Sequence, residues 1–182
     1  MAIYVSMLRG INVGGHKRIK MDRLRQSLET LGFEQVKTFI QSGNVVFTTG
    51  KRSALALSRQ IENKILEDFG FSVCVITKTA DEMRQSLEKN PFLREGGIDP
   101  ERLHVVFLSE APASEALKKL AELTILPDRS QCVGTEIYLY LPNGVAQSFW
   151  MKTPLDRVLS VVTTTRNWKT VNCLHQMCRE CR

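Results

Sequence analysis

The residues best suited to hold a ligand lie in Leu8-Arg9-Gly10-Ile11-Asn12-Val13-Gly14-Gly15-His16-Lys17, which Arg18 follows. Glycines let a backbone turn tightly and expose its N–H groups, and Arg9, Lys17 and Arg18 add positive charge. Such a loop is suited to cradling an anion. It is not a Walker loop, because no Gly-Lys-Ser/Thr follows, and its glycine spacing is not that of a dinucleotide fingerprint. The plain alternative is a glycine-rich connection with solvated basic side chains.

Two further blocks join this candidate set. Gln41-Ser42-Gly43-Asn44 has the composition of a tight turn, which is its structural explanation. Ser42 and Asn44 become ligand candidates only if the fold sets that turn beside the glycine-rich loop. Thr163-Thr164-Thr165-Arg166-Asn167-Trp168 reads as a strand-to-helix junction, with a threonine as helix cap and Arg166 near the first free N–H groups. The ligand-binding candidates are therefore Arg9, Asn12, Gly14, Gly15, Lys17, Ser42, Asn44 and Arg166.

Other chemistries find less support. Tyr138 and Tyr140 share one strand face, as base-stacking aromatics do, but the flanking basic-glycine pattern of a ribonucleoprotein motif is missing. Cys178 and Cys181 are spaced as half of a zinc ribbon without its second pair, and Cys173 points elsewhere on a helix. No metal and no cofactor are expected. Neither a nucleophile elbow nor an HExxH motif occurs, so no catalytic residue is assigned.

The elements that position these residues follow from periodicity. Alternation predicts a strand over 2–8, and Met21, Leu24, Leu28 and Leu31 predict a helix over 20–31 stopped by Gly32. Strands follow at 36–40 and 45–49, then a helix from about Ser53 to Gly70 and a strand at 71–77. Thr79 and Glu82 form a capping box for a linking helix that ends before Asn90-Pro91. After Gly96-Gly97 the order repeats: strand 103–108, helix 113–123, strands near 131–134 and 136–141, a helical stretch within 148–159, strand 161–163 and a last helix from about Arg166. The fold class is α+β, with two ferredoxin-like βαββαβ subdomains, antiparallel sheets and an extra C-terminal helix. The expected divisions are 1–78, a linking segment 79–100, and 101–182. In that topology the first and second strands run the same way, so residues 9–18 and 41–44 should meet at one sheet edge.

Composition narrows the class further. The 182 residues are 43% hydrophobic and 24% charged, which is ordinary globular usage. No apolar run approaches the ~20 residues of a membrane helix, and no signal peptide opens the chain. Five cysteines without framework spacing suit a reducing compartment, so a cytoplasmic location is expected and no membrane partner. The net charge of +6 is concentrated at the two ends around an acidic middle, a field able to steer an anionic partner.

Four blocks in order give the sequence a family likeness. Leu8 to Gly15, Gln41 to Phe47, Tyr138 to Gly144 and Thr164 to Thr170 together resemble a mainly bacterial family, domain of unknown function 1697. Asn90-Pro91-Phe92 and His104 to Leu108 are similar to its middle segment. The resemblance implies two ferredoxin-like subdomains and brings no activity, cofactor or catalytic residue. Ser148-Phe149-Trp150 departs from the family's usual Ser-Lys-Leu, and the tail from Cys173 is unusually rich in cysteine. The leading expectation is a binder of a phosphate-bearing small molecule or nucleic acid at loop 9–18. An enzyme on a small anionic substrate and a structural or interaction module are the alternatives.

Overall fold

The computed structural model describes residues 1–51, 53–123 and 125–181. Two four-stranded antiparallel sheets with helices make an α+β fold of two subdomains, each of βαββαβ order. By backbone contacts the chain divides into Met1–Gln85 with Cys173–Arg182, and Ser86–Asn172.

The first unit contains β1 (Ala2–Leu8), α1 (Met21–Glu29), β2 (Glu34–Phe39), β3 (Asn44–Thr49), α2 (Ala54–Phe69) and β4 (Val75–Thr79), followed by α3 (Ala80–Glu88). Its sheet order is β2-β3-β1-β4. Tyr4 and Leu8 of β1 and Val45 and Phe47 of β3 meet Leu24 and Leu28 of α1 and Leu57, Ile61 and Ile65 of α2 in one buried cluster. Both helices present an apolar stripe at i, i+4 spacing, which is why the sequence periodicity locates them. Ser53 caps α2 by accepting from the Ala56 amide, and Gly70 ends it at φ 76°. The capping box predicted for α3 is present: Thr79 N donates to Glu82 Oε2 at 2.7 Å and Glu82 N to Thr79 Oγ1 at 3.1 Å.

Strand β4 begins later than its hydrophobic run suggests. β1 ends at Leu8 opposite Val75, and one further bond, Arg9 N to Cys74 O, continues the ladder. Residues 71–73 then run beyond β1 and lie outside its ladder even though Val73 is buried.

The second unit repeats the plan with β5 (Leu103–Leu108), α4 (Ser114–Leu123), β6 (Arg129–Val133), β7 (Glu136–Tyr140), α5 (Phe149–Lys152), α6 (Leu155–Leu159) and β8 (Thr163–Asn167), and α7 (Trp168–Arg179) follows. Its sheet order β6-β7-β5-β8 matches the first. Trp150 is buried with Leu139, Leu155 and Leu159 and fills the core. Ser148 caps α5 through the Trp150 amide and donates to Asp128 Oδ2 at 2.7 Å. The predicted helical stretch 148–159 is two short helices, because Thr153-Pro154 breaks it.

The junction 163–168 differs from expectation. Thr163 to Asn167 are all strand, paired with Leu108 to His104, because six-residue β5 offers a full-length edge that β-branched threonines suit. The helix starts at Trp168, and its cap is Asn167, whose Oδ1 accepts from Thr170 N at 2.8 Å, not a threonine. No helix among the described residues is long and apolar enough to cross a membrane.

Candidate functional site

Strands β1 and β2 are both antiparallel to β3, so they point the same way. The loop leaving β1 and the turn joining β2 to β3 therefore emerge at one edge of the sheet. Hydrogen bonds join them there: Leu8 N donates to Gly43 O at 2.8 Å, and Asn12 Nδ2 to Gln41 O at 2.8 Å. The close fit depends on Gly43, where a Cβ would lie 2.7 Å from Leu8 Cβ and 2.8 Å from Ile11 Cδ1, at φ 74°.

Asn12 organises the loop. It adopts φ 55°. Its amide donates to Ile19 O at 3.0 Å as well as to Gln41 O, and its Oδ1 accepts from Ile19 N at 2.9 Å. These bonds pinch residues 12 and 19 together around a short antiparallel turn. In that turn Val13 bridges His16, and Gly14 and Gly15 both hold positive φ, as a type I′ turn demands. Ile11 and Ile19 anchor the two ends of the loop in the core.

The clasp leaves a groove of about 850 Å³ beside the start of α1. Asn12, Gly15, Arg18, Lys20, Asp22 and Gln41 line it with polar groups or backbone, and Ile19 and Met21 supply apolar surface. Arg18 Nε donates to Gly15 O at 3.1 Å, which lays the guanidinium across the glycine turn. Lys20 occupies the N-cap position of α1 and makes no side-chain cap, so its side chain does not satisfy the first helical N–H groups. Asp22, in that first turn, pairs with Arg25 at 2.9 Å. The field is basic, with one carboxylate set into it.

The sequence candidates divide on this map. Asn12 and Gly15 line the groove, and Gly14 completes its turn. Arg9 and Lys17 are exposed but are not among the lining residues, and Lys17 Nζ donates to Ser72 O at 2.7 Å. Asn44 is buried, and its Nδ2 donates to Phe39 O and Ser42 Oγ, so these two polar side chains brace the hairpin. Arg166 belongs to the second unit and lies on β8, not at a helix start. It is 9% exposed and donates to Thr164 Oγ1 and Thr165 O, each at 2.8 Å. Burial holds its pKa down to about 10.

The candidate set omits the polar lining residues Arg18, Lys20, Asp22 and Gln41 and the apolar Ile19 and Met21. The alternation of exposed Arg18, buried Ile19 and exposed Lys20 was the signal, since extended backbone sends both cations to the side away from the core. Tyr138 is wholly buried and donates to Ser86 O at 2.9 Å, so it offers no surface for a base; burial pushes its phenol pKa up. Cys178 and Cys181 are buried and form no disulfide, and no group of three or more His, Cys, Asp or Glu converges among the described residues.

No curated protein shows significant sequence similarity to the chain. Among solved structures it is similar to the conserved bacterial protein SP0830 from Streptococcus pneumoniae, at 25% identity and a TM-score of 0.77, over 97% of this chain and 98% of that one. The profile of the family described as "Protein of unknown function (DUF1697)" matches residues 1–138, most of the sequence, and the chain belongs to that family.

Proposed function

We propose that this is a cytoplasmic bacterial protein that binds a phosphate-bearing ligand, a nucleotide or nucleic acid, in the groove beside α1. The observation that carries the reading is an open groove bordered by two cations with donors to spare. Only Nε of Arg18 has a protein acceptor, and Lys20 Nζ has none among the described residues. A guanidinium fork and an ammonium suit phosphate oxygens, and the uncapped start of α1 adds oriented N–H groups. Among the described residues, those lining the groove carry no hydroxyl, thiol or imidazole.

Thermal denaturation with increasing inorganic phosphate, adenosine monophosphate and a short oligonucleotide tests the proposal. A ligand at about 100 times its Kd stabilises the folded state by about 2.7 kcal/mol. At least one probe should raise the melting temperature of the wild type, and the Arg18→Gln, Lys20→Gln double variant should lose that shift. Equal shifts in both proteins would place binding elsewhere, and no shift with any probe would remove the case for phosphate.

A further inference from the structure

The groove's mixed lining narrows the ligand, on the footing of the phosphate-binding reading above. We infer that it recognises a sugar-phosphate moiety: a small phosphomonoester with a hydroxyl-bearing body. A bare anion and a polymer both fit the lining less well.

Three features point there. At about 850 Å³ the groove falls in the range of small-molecule sites, roughly 300–1,000 Å³. It contains a carboxylate as well as cations. Asp22 Oδ1 is held by Arg25, while its Oδ2 has no protein partner among the described residues. A carboxylate repels a bare phosphate but accepts strongly from a hydroxyl, so its presence makes chemical sense for a ligand with an anionic end and a neutral hydroxylated end. Gln41 completes that second end. Its backbone carbonyl is taken by Asn12, while its exposed side-chain amide has no protein partner among the described residues and offers a donor and an acceptor to a hydroxyl.

The third feature is the lack of an aromatic ring among the described lining residues. Proteins that hold single-stranded nucleic acid stack bases on aromatic side chains. This groove has a place for phosphate and for hydroxyls, but no platform for a base. A free sugar phosphate and the sugar-phosphate half of a nucleoside monophosphate share the chemistry it fits.

Isothermal titration of the full chain with inorganic phosphate, ribose 5-phosphate, adenosine monophosphate and a short single-stranded oligonucleotide separates the possibilities. Ribose 5-phosphate should bind about tenfold or more tighter than inorganic phosphate, since hydroxyl bonds to a charged partner are worth that much. Adenosine monophosphate should bind within about tenfold of ribose 5-phosphate. Arg18→Gln should weaken both phosphate and ribose 5-phosphate. Asp22→Asn should weaken ribose 5-phosphate while tightening inorganic phosphate, an opposed response that a general folding defect does not produce. Equal affinity for phosphate and ribose 5-phosphate would overturn the sugar-phosphate inference and leave phosphate binding standing. So would a preference for adenosine monophosphate or the oligonucleotide beyond about tenfold, by showing that a base or polymer is read. Binding of none of the four would overturn both.

Discussion

Asn12 Nδ2 donates to the carbonyl of Gln41 across 29 positions of sequence, at 2.8 Å, and so ties the loop after β1 to the turn between β2 and β3. The same side chain closes the loop on itself through both backbone polar groups of Ile19. An asparagine can do all this because its amide carries two donors and an acceptor, and because it tolerates the left-handed backbone found here.

Asn12→Ala should therefore destabilise the protein by about 2–4 kcal/mol, combining lost hydrogen bonds with an alanine held at positive φ. Asn12→Gly removes the same bonds without the backbone strain and should be milder by about 1 kcal/mol. Equilibrium urea denaturation measures both. Two variants as stable as the wild type would show that the clasp contributes nothing.

Gly43 and Gly10 make a controlled pair. Both hold positive φ, but a Cβ at Gly43 collides with Leu8 and Ile11, whereas one at Gly10 meets nothing within 4 Å. Gly43→Ala should lose about 2–4 kcal/mol from overpacking plus strain, and Gly10→Ala only about 1–2 kcal/mol from strain. Comparable losses in the two variants would mean that close approach at Gly43 is not what the fold requires.

His104 gives the stability a pH signature. It is buried on β5, and burial holds its pKa below the usual imidazole value despite a weak contact to Arg102 O. The unfolded chain therefore takes up a proton first as pH falls through about 6.5, and folding stability declines from there toward the lower folded pKa. His104→Gln should flatten the stability profile between about pH 7 and 5. An unchanged slope in that window would show that His104 titrates alike in both states.

Much of the fold was legible because local pattern and tertiary demand agree. The apolar spacing of α1 and α2, the capping box of α3 and the short apolar run of β5 each state their element outright. Ends were less legible where a partner strand decides them. β4 starts at Val75 because β1 ends at Leu8, and β8 extends to Asn167 because β5 is long enough to pair with it. The site followed the same division. Topology placed loop 9–18 beside turn 41–44, since that needs only the strand directions. Which polar side chains turn outward needed coordinates. Asn12 and Asn44 carry amides that suit a ligand or a backbone equally, and here Asn12 bonds the backbone of Ile19 and Gln41 while Asn44 bonds Phe39 O and Ser42 Oγ.

The central claim, a phosphate-bearing ligand in the groove beside α1, is tested most directly by amide chemical-shift mapping. Labelled protein is titrated with ribose 5-phosphate, and again with inorganic phosphate. Saturable shifts concentrated at Gly15, Arg18, Lys20, Met21 and Gln41, lost in Arg18→Gln, are the result the groove predicts. Shifts centred on any other part of the chain, or none beyond the uniform drift of added salt, would contradict it.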